Sequence, residues 1–212
     1  MTASIGNLSA QSSVRRWSDG EVTVTYVVDG AMWLSAGLFL SAIPPSYWDE
    51  HPEEIGADGL VAMSAGGLLV ESGDTTLLID AGLGDVRTDS AIGRNDCGAF
   101  LDTLASIDVD REDIDVFALT HLHVDHAGWA FVDDEHGRRV PTFPRAQYVV
   151  AEQELRPFHR GERPPRGHVI RSRSSNRWNT FRLCARWRTV TRSQRGSPPS
   201  SLPDTVPATR PT

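Results

Sequence analysis

Lysine does not occur in this 212-residue chain: all 21 basic residues are arginine, a bias that points to a coding sequence rich in G and C. Cysteine is almost as scarce. Cys97 and Cys184 are the only two, and their wide separation excludes a disulfide framework and a paired-thiolate metal site. No run reaches the roughly 18 apolar residues of a membrane-spanning helix. No apolar stretch flanks Arg15 and Arg16, so a secretory signal is not expected. The expectation is a soluble, cytoplasmic chain without a membrane partner, long enough for one domain with its own core.

The net charge of −7 hides a break. Residues 1–155 carry 8 Arg against 26 acidic residues, a balance of −18; residues 156–212 carry 13 Arg against Glu162 and Asp204, a balance of +11. That reversal divides the chain into an N-terminal arm (1–20), a folded segment (21–155) and a basic tail (156–212). The tail is rich in Arg, Ser and Pro, shows no period of 2 or 3.6, and is predicted to be disordered. Within it, Arg171, Arg173, Arg177, Arg182, Arg186 and Arg188 alternate with Trp178 and Trp187, as single-strand binders do. This supports a second, non-catalytic reading: an interaction protein whose tail binds nucleic acid or another polyanion. Translation of G+C-rich DNA out of frame yields the same composition, so nucleic acid is the disfavoured partner.

In the folded segment, Glu21–Val28 alternates, with Val22, Val24, Tyr26 and Val28 on one face and Thr23 and Thr25 on the other. It reads as a half-buried strand closed by Asp29-Gly30. Residues 31–58 read as a long irregular stretch with Trp33, Phe39, Tyr47 and Trp48, and loops of that length are often functional. Leu68–Glu71 and Thr75–Asp80 form a predicted hairpin around Ser72-Gly73-Asp74. Phe100, Leu101, Leu104 and Ile107 have helical spacing. Residues 146–150 read as a strand and residues 151–155 as the start of a helix. His136, among Asp133, Asp134 and Glu135, reads as part of a solvated turn.

The chemistry concentrates in Val116–Trp129. An apolar strand ends at Thr120, and the next six residues hold His121, His123, Asp125 and His126. Imidazole nitrogen with carboxylate oxygen is a donor set for a zinc-like divalent ion. His121 and His123, two apart, share a direction in an extended segment; Asp125 and His126, adjacent, are better placed for a second ion. Two ions about 3.5–4 Å apart can hold a bridging hydroxide and polarise a substrate oxygen.

Thr120–His126 resembles the His-x-His-x-Asp-His signature of the metallo-β-lactamase superfamily. The resemblance implies that His121 and His123 bind one metal, Asp125 and His126 the other, and that Asp125 is the catalytic carboxylate. The last His of the motif points to the lactonase, thioesterase and organophosphate-hydrolase branches. By the same resemblance Leu77–Gly84 is similar to the family strand ending in Asp before a glycine turn, and Asp80 is the candidate to orient a ligand histidine from behind. Trp33, Phe39 and Trp48 are candidates for a substrate wall. The implied fold class is α/β (α+β), an αββα sandwich. The implied function is metal-dependent hydrolysis of an ester, lactone or phosphotriester in a small-molecule substrate, through a metal-bound hydroxide.

The resemblance covers residues 21–155, the N-terminal half of such a sandwich. The other half would supply a third His for the first metal, a bridging Asp and a final His. His159 and His168 are the only later histidines and lie in no Pro-Gly-His context. Codon degeneracy permits Pro-Gly-His-x-Pro-Gly-His in the shifted frame over residues 202–209, so the expectation is a truncated or frameshifted chain. It would bind at most one zinc ion, weakly, have impaired activity, and leave one sheet face uncovered.

Overall fold

The first turn is made by Asp19-Gly20, with Gly20 in the left-handed region at φ +59. A computed structural model describes residues 13–159 and 187–190. Around that turn, β1 (Arg15–Asp19) pairs antiparallel with β2 (Val22–Ser35), setting Trp17 opposite Val24. The expected N-terminal arm is therefore corrected from residue 15 onward: a turn residue and cross-strand partners make it a hairpin strand.

Strand β2 also runs seven residues beyond Val28. It does not close at Asp29-Gly30 but passes through a bulge there: Val28 faces Gly66, and Gly30 faces Ala65. Only Gly fits at position 30, because a Cβ would collide with the Asp96 carbonyl of the neighbouring strand. The supposedly irregular stretch thus begins as strand. It continues as α1 (Ala36–Phe39), α2 (Pro45–Glu50) and a 3-10 turn, Pro52–Glu54.

The expected hairpin forms, from β3 (Leu60–Ser72) and β4 (Thr75–Ile79): Ser72 pairs with Thr75, so the turn shortens to Gly73-Asp74, with Gly73 at φ +55. Next come β5 (Arg87–Ser90), β6 (Gly93–Cys97) and α3 (Phe100–Ser106). The motif segment gives β7 (Val116–Leu119) and α4 (Val124–Ala127). A small hairpin follows, β8 (Phe131–Asp133) with β9 (Arg139–Pro141), holding His136 in its exposed loop. The described chain ends in β10 (Gln147–Ala151), α5 (Glu152–His159) and β11 (Trp187–Val190). Order therefore reaches past residue 155: α5 runs to His159, and β11 lies parallel to β10. Most of the arginine stretch, His168 and residues 202–209 lie outside the described residues.

One nine-stranded sheet runs β11-β10-β7-β4-β3-β2-β6-β5, with β1 also on β2. Strands β4, β7, β10 and β11 are parallel, so β4 and β7 end at the same edge. One sheet face is sealed. Val27, Leu69, Leu78, Phe117, Tyr148 and Val150 are at most 1% exposed and share one core with Phe100 and Leu104 of α3, and Thr25 is as deeply buried. The alternation expected in β2 is present, but Thr25 and Val27 hold the deeper side because α3 covers it. Phe117 stacks at 5.0 Å on both Phe143 and Tyr148. The buried Tyr148 hydroxyl donates to the Ala130 carbonyl and accepts from the Phe143 N–H, so its polar end is satisfied. On the opposite face Trp17, Val22 and Leu68 are 54%, 38% and 37% exposed, while Val28 beside the bulge is buried. Among the described residues no helix is long and apolar enough to cross a membrane, which says nothing of a β-barrel.

Candidate metal centre

Parallel pairing of Ile79 with Ala118 brings Asp80 and Thr120 side by side where β4 and β7 end. Asp80 is 8% exposed and sits at φ +58, rare for a residue other than Gly, Asn or Asp. Its carboxylate is fully engaged. Oδ1 accepts from the Thr120 N–H at 2.8 Å; Oδ2 accepts from the Thr120 hydroxyl at 2.8 Å and from His126 Nδ1 at 2.9 Å. Thr120 spends its one hydroxyl proton on Asp80, so its 3.0 Å contact with His121 Nδ1 is a bond that the histidine donates.

Both imidazoles thereby hold their protons on Nδ1 and present Nε2 lone pairs, the arrangement a metal-binding histidine needs. Burial pushes the Asp80 carboxyl up, but donation from His126 and Thr120 outweighs it and leaves it below the usual carboxylate range. The Asp80 bond lifts the His126 ring above its ordinary value, against burial and with help from Asp125.

The motif residues gather. The His121 ring lies 4.0 Å from that of His126 and 4.5 Å from that of His123. Two ligands on one tetrahedral zinc sit roughly 3.3 Å apart; Asp125 Oδ2 lies 3.5 Å from His126 Nε2, so this pair fits one ion. Imidazole and carboxylate together suit zinc-like ions. The loop is braced from outside, with Glu154 of α5 accepting the Leu122 N–H at 3.1 Å.

Three features of this network were not read from the sequence: the Thr120 hydroxyl, Glu154, and the buried Asp29. The Thr120–His121 adjacency was a usable signal; Glu154, 32 residues from Leu122, gave none. Trp33 lines a separate cavity of about 350 Å³ with Glu53, Ile55, Leu60, Ala62 and Arg94, its ring 4.4 Å beneath the Arg94 guanidinium. That lining includes none of the motif residues. Phe39 is 53% exposed, and Trp48 packs edge-on to Tyr47 at 5.1 Å. Among the described residues, the His-carboxylate trio whose ligand atoms all lie within 4.8 Å of one another is His51, Glu53 and Glu54, and no three of the motif residues come that close; Tyr47 donates to Glu54, and His51 lies 3.6 Å from Glu53.

Sequence comparison agrees with this geometry. Residues 67–137 match the family model described as the metallo-beta-lactamase superfamily. Many solved structures share the fold. A probable metal-dependent hydrolase from Staphylococcus aureus is 22% identical, with TM-score 0.56 over 68% of this chain and 52% of its own. The hydrolase AbOPH of the beta lactamase superfamily is 22% identical, with TM-score 0.61 over 85% of this chain and 61% of its own. AidC, a dizinc quorum-quenching lactonase, is 20% identical, with TM-score 0.56 over 70% of this chain and 47% of its own. The chain thus spans between 47% and 61% of the length of these structures. No curated protein matches the sequence.

Proposed function

We propose that the chain carries the first metal-binding half of a hydrolase acting on an ester, lactone or phosphotriester of a small molecule. His121, His123, Asp125 and His126 are the ligands, and Asp125 is the catalytic carboxylate. The observation that carries this reading is the Asp80 carboxylate holding His126 Nδ1 at 2.9 Å while Thr120 holds His121. A chance cluster of histidines has no reason to have two rings held at Nδ1 in this way. Zinc and a lactone are favoured by the donor set and by the description of AidC as a dizinc lactonase.

A divalent ion bound here would supply Lewis acidity and an acidified water. The chain's own residues do the rest. Asp80 and Thr120 fix two imidazoles, which spares the site the entropy of ordering them on binding. The Asp125 carboxylate, 30% exposed and 3.5 Å from His126 Nε2, is placed to carry a proton between site and solvent. Four ligand side chains serve one ion and do not complete two, so the chain should hold at most one ion, weakly, and turn over slowly.

Zinc titration calorimetry, with turnover on a panel of lactones, esters and phosphotriesters, tests this. Uptake of one ion per chain is expected, with binding and residual turnover lost in His121→Ala and Asp125→Ala. Wild-type zinc binding by His121→Ala would overturn the ligand assignment.

A further inference from the structure

Asp29 is completely buried and its carboxylate meets five N–H donors. Oδ1 accepts from the Trp129 indole at 2.8 Å, from Gly98 at 3.1 Å and from Phe100 at 3.2 Å; Oδ2 accepts from Leu83 at 2.7 Å and Gly84 at 3.1 Å. Burial pushes the Asp29 carboxyl above its ordinary range, against the bonds from Trp129, Leu83, Gly84 and Gly98, which favour the ionised form. The bulge in β2 re-aims the side chain at this point, as bulges beside functional sites do.

Gly98 and Phe100 belong to the junction of β6 and α3; the other three donors come from the two loops that carry Asp80 and His126. Leu83 and Gly84 follow Asp80 by three and four residues, and Trp129 follows His126 by three. The loops are laced together: Ala81 N–H donates to the His126 carbonyl at 2.7 Å, Gly128 N–H to Gly82 at 2.8 Å and Trp129 N–H to Ala81 at 3.1 Å. Gly82 and Gly128 leave no space for a Cβ, against Asp29 and Leu83 respectively. The 2.9 Å bond from His126 to Asp80 spans the same two loops, and a slip of about 0.5 Å between them would spoil it.

We propose that Asp29 is a positioning residue of the metal centre: by gripping Leu83, Gly84 and Trp129 at one carboxylate, it sets the spacing of the Asp80 and His126 loops and so the direction of the His126 ring. This rests on the reading of the histidine segment as a metal site. Asp29→Asn preserves size but turns one acceptor oxygen into a donor facing other donors.

The test measures zinc affinity by chelator competition and, in metal-free protein, the ring ¹⁵N signals of His126. In Asp29→Asn the affinity should fall about 10–100-fold, the scale seen when the support behind a metal ligand is removed, and the His126 signals should move. Leu104→Ala, a core truncation in α3 that makes none of these bonds, should lower stability with affinity and His126 signals unchanged. Should Asp29→Asn fail to fold, Trp129→Phe removes one donor and should weaken zinc about threefold, the scale of one hydrogen bond.

Wild-type affinity with unmoved His126 signals in the folded Asp29 variant, or in Trp129→Phe, overturns the proposal. So does an equal loss in Leu104→Ala, which would mark a merely structural effect. A wild-type chain that takes up no zinc fails the metal reading instead; the His126 signals then still decide whether Asp29 positions that ring.

Discussion

Asp80 illustrates how much chemistry rests on one carboxylate. It accepts three hydrogen bonds from a left-handed backbone position, a conformation that costs a non-glycine residue about 1–3 kcal/mol and persists only where its surroundings enforce it. Asp80→Asn should weaken zinc binding by about one to two orders of magnitude, because an amide nitrogen cannot accept from His126 and Thr120 together; chelator competition measures the change. Cys97 is the opposite case. It is 2% exposed, and burial with nearby Asp29 and Asp96 pushes its thiol up to about 12, so the thiolate is scarce at neutral pH. Peptide mapping after iodoacetamide at pH 8 should find Cys97 unlabelled in folded protein and labelled after denaturation. Asp80 was legible because it ends an apolar run before a glycine turn. Asp29 was not: Asp-Gly reads locally as a turn, and its five donors come from residues 54 to 100 positions away.

Among the elements, those with strong local signals formed where expected: the β3–β4 hairpin on its Gly73 turn, and α3 with Phe100 and Leu104 inward. Strands β5 and β6 had no such signal. Arg-Thr-Asp-Ser and Gly-Arg-Asn-Asp-Cys lack apolar alternation, and they exist as strands because the far half of β2 offers an edge to pair with. The two loops that carry Asp80 and His126 form an element of their own. Gly128 packs so closely on Leu83 that a methyl group cannot fit. Gly128→Ala should therefore cost about 1–3 kcal/mol of stability, the usual scale of overpacking, and weaken zinc in parallel; urea denaturation and chelator competition would show both.

At the scale of the whole molecule, the sheet has one face sealed by α3 and the small hairpin and another on which apolar side chains stay half-open. Opposed residues line up across that second face: Trp17 with Val24, Val24 with Val70, and Val70 with Leu77. A contiguous apolar surface of this kind favours association. The chain should bind a hydrophobic dye and self-associate with rising concentration in sedimentation runs, and Trp17→Ser combined with Leu68→Thr should reduce both while leaving the metal site intact. Unchanged self-association in that variant would place the sticky surface elsewhere.

The sequence alone was enough to single out the candidate ligands, since four ligand-type residues within six positions need no distant partner to be noticed, and for elements whose turns and periods are local. It also carried the family resemblance of the folded segment. Tertiary structure alone decided which side of β2 is buried, that Asp29 sits in a bulge rather than a turn, and how the histidines are aimed. Those outcomes depend on what packs against a strand and on hydrogen bonds between segments 30 to 100 residues apart, and neither hydrophobic period nor turn propensity encodes them.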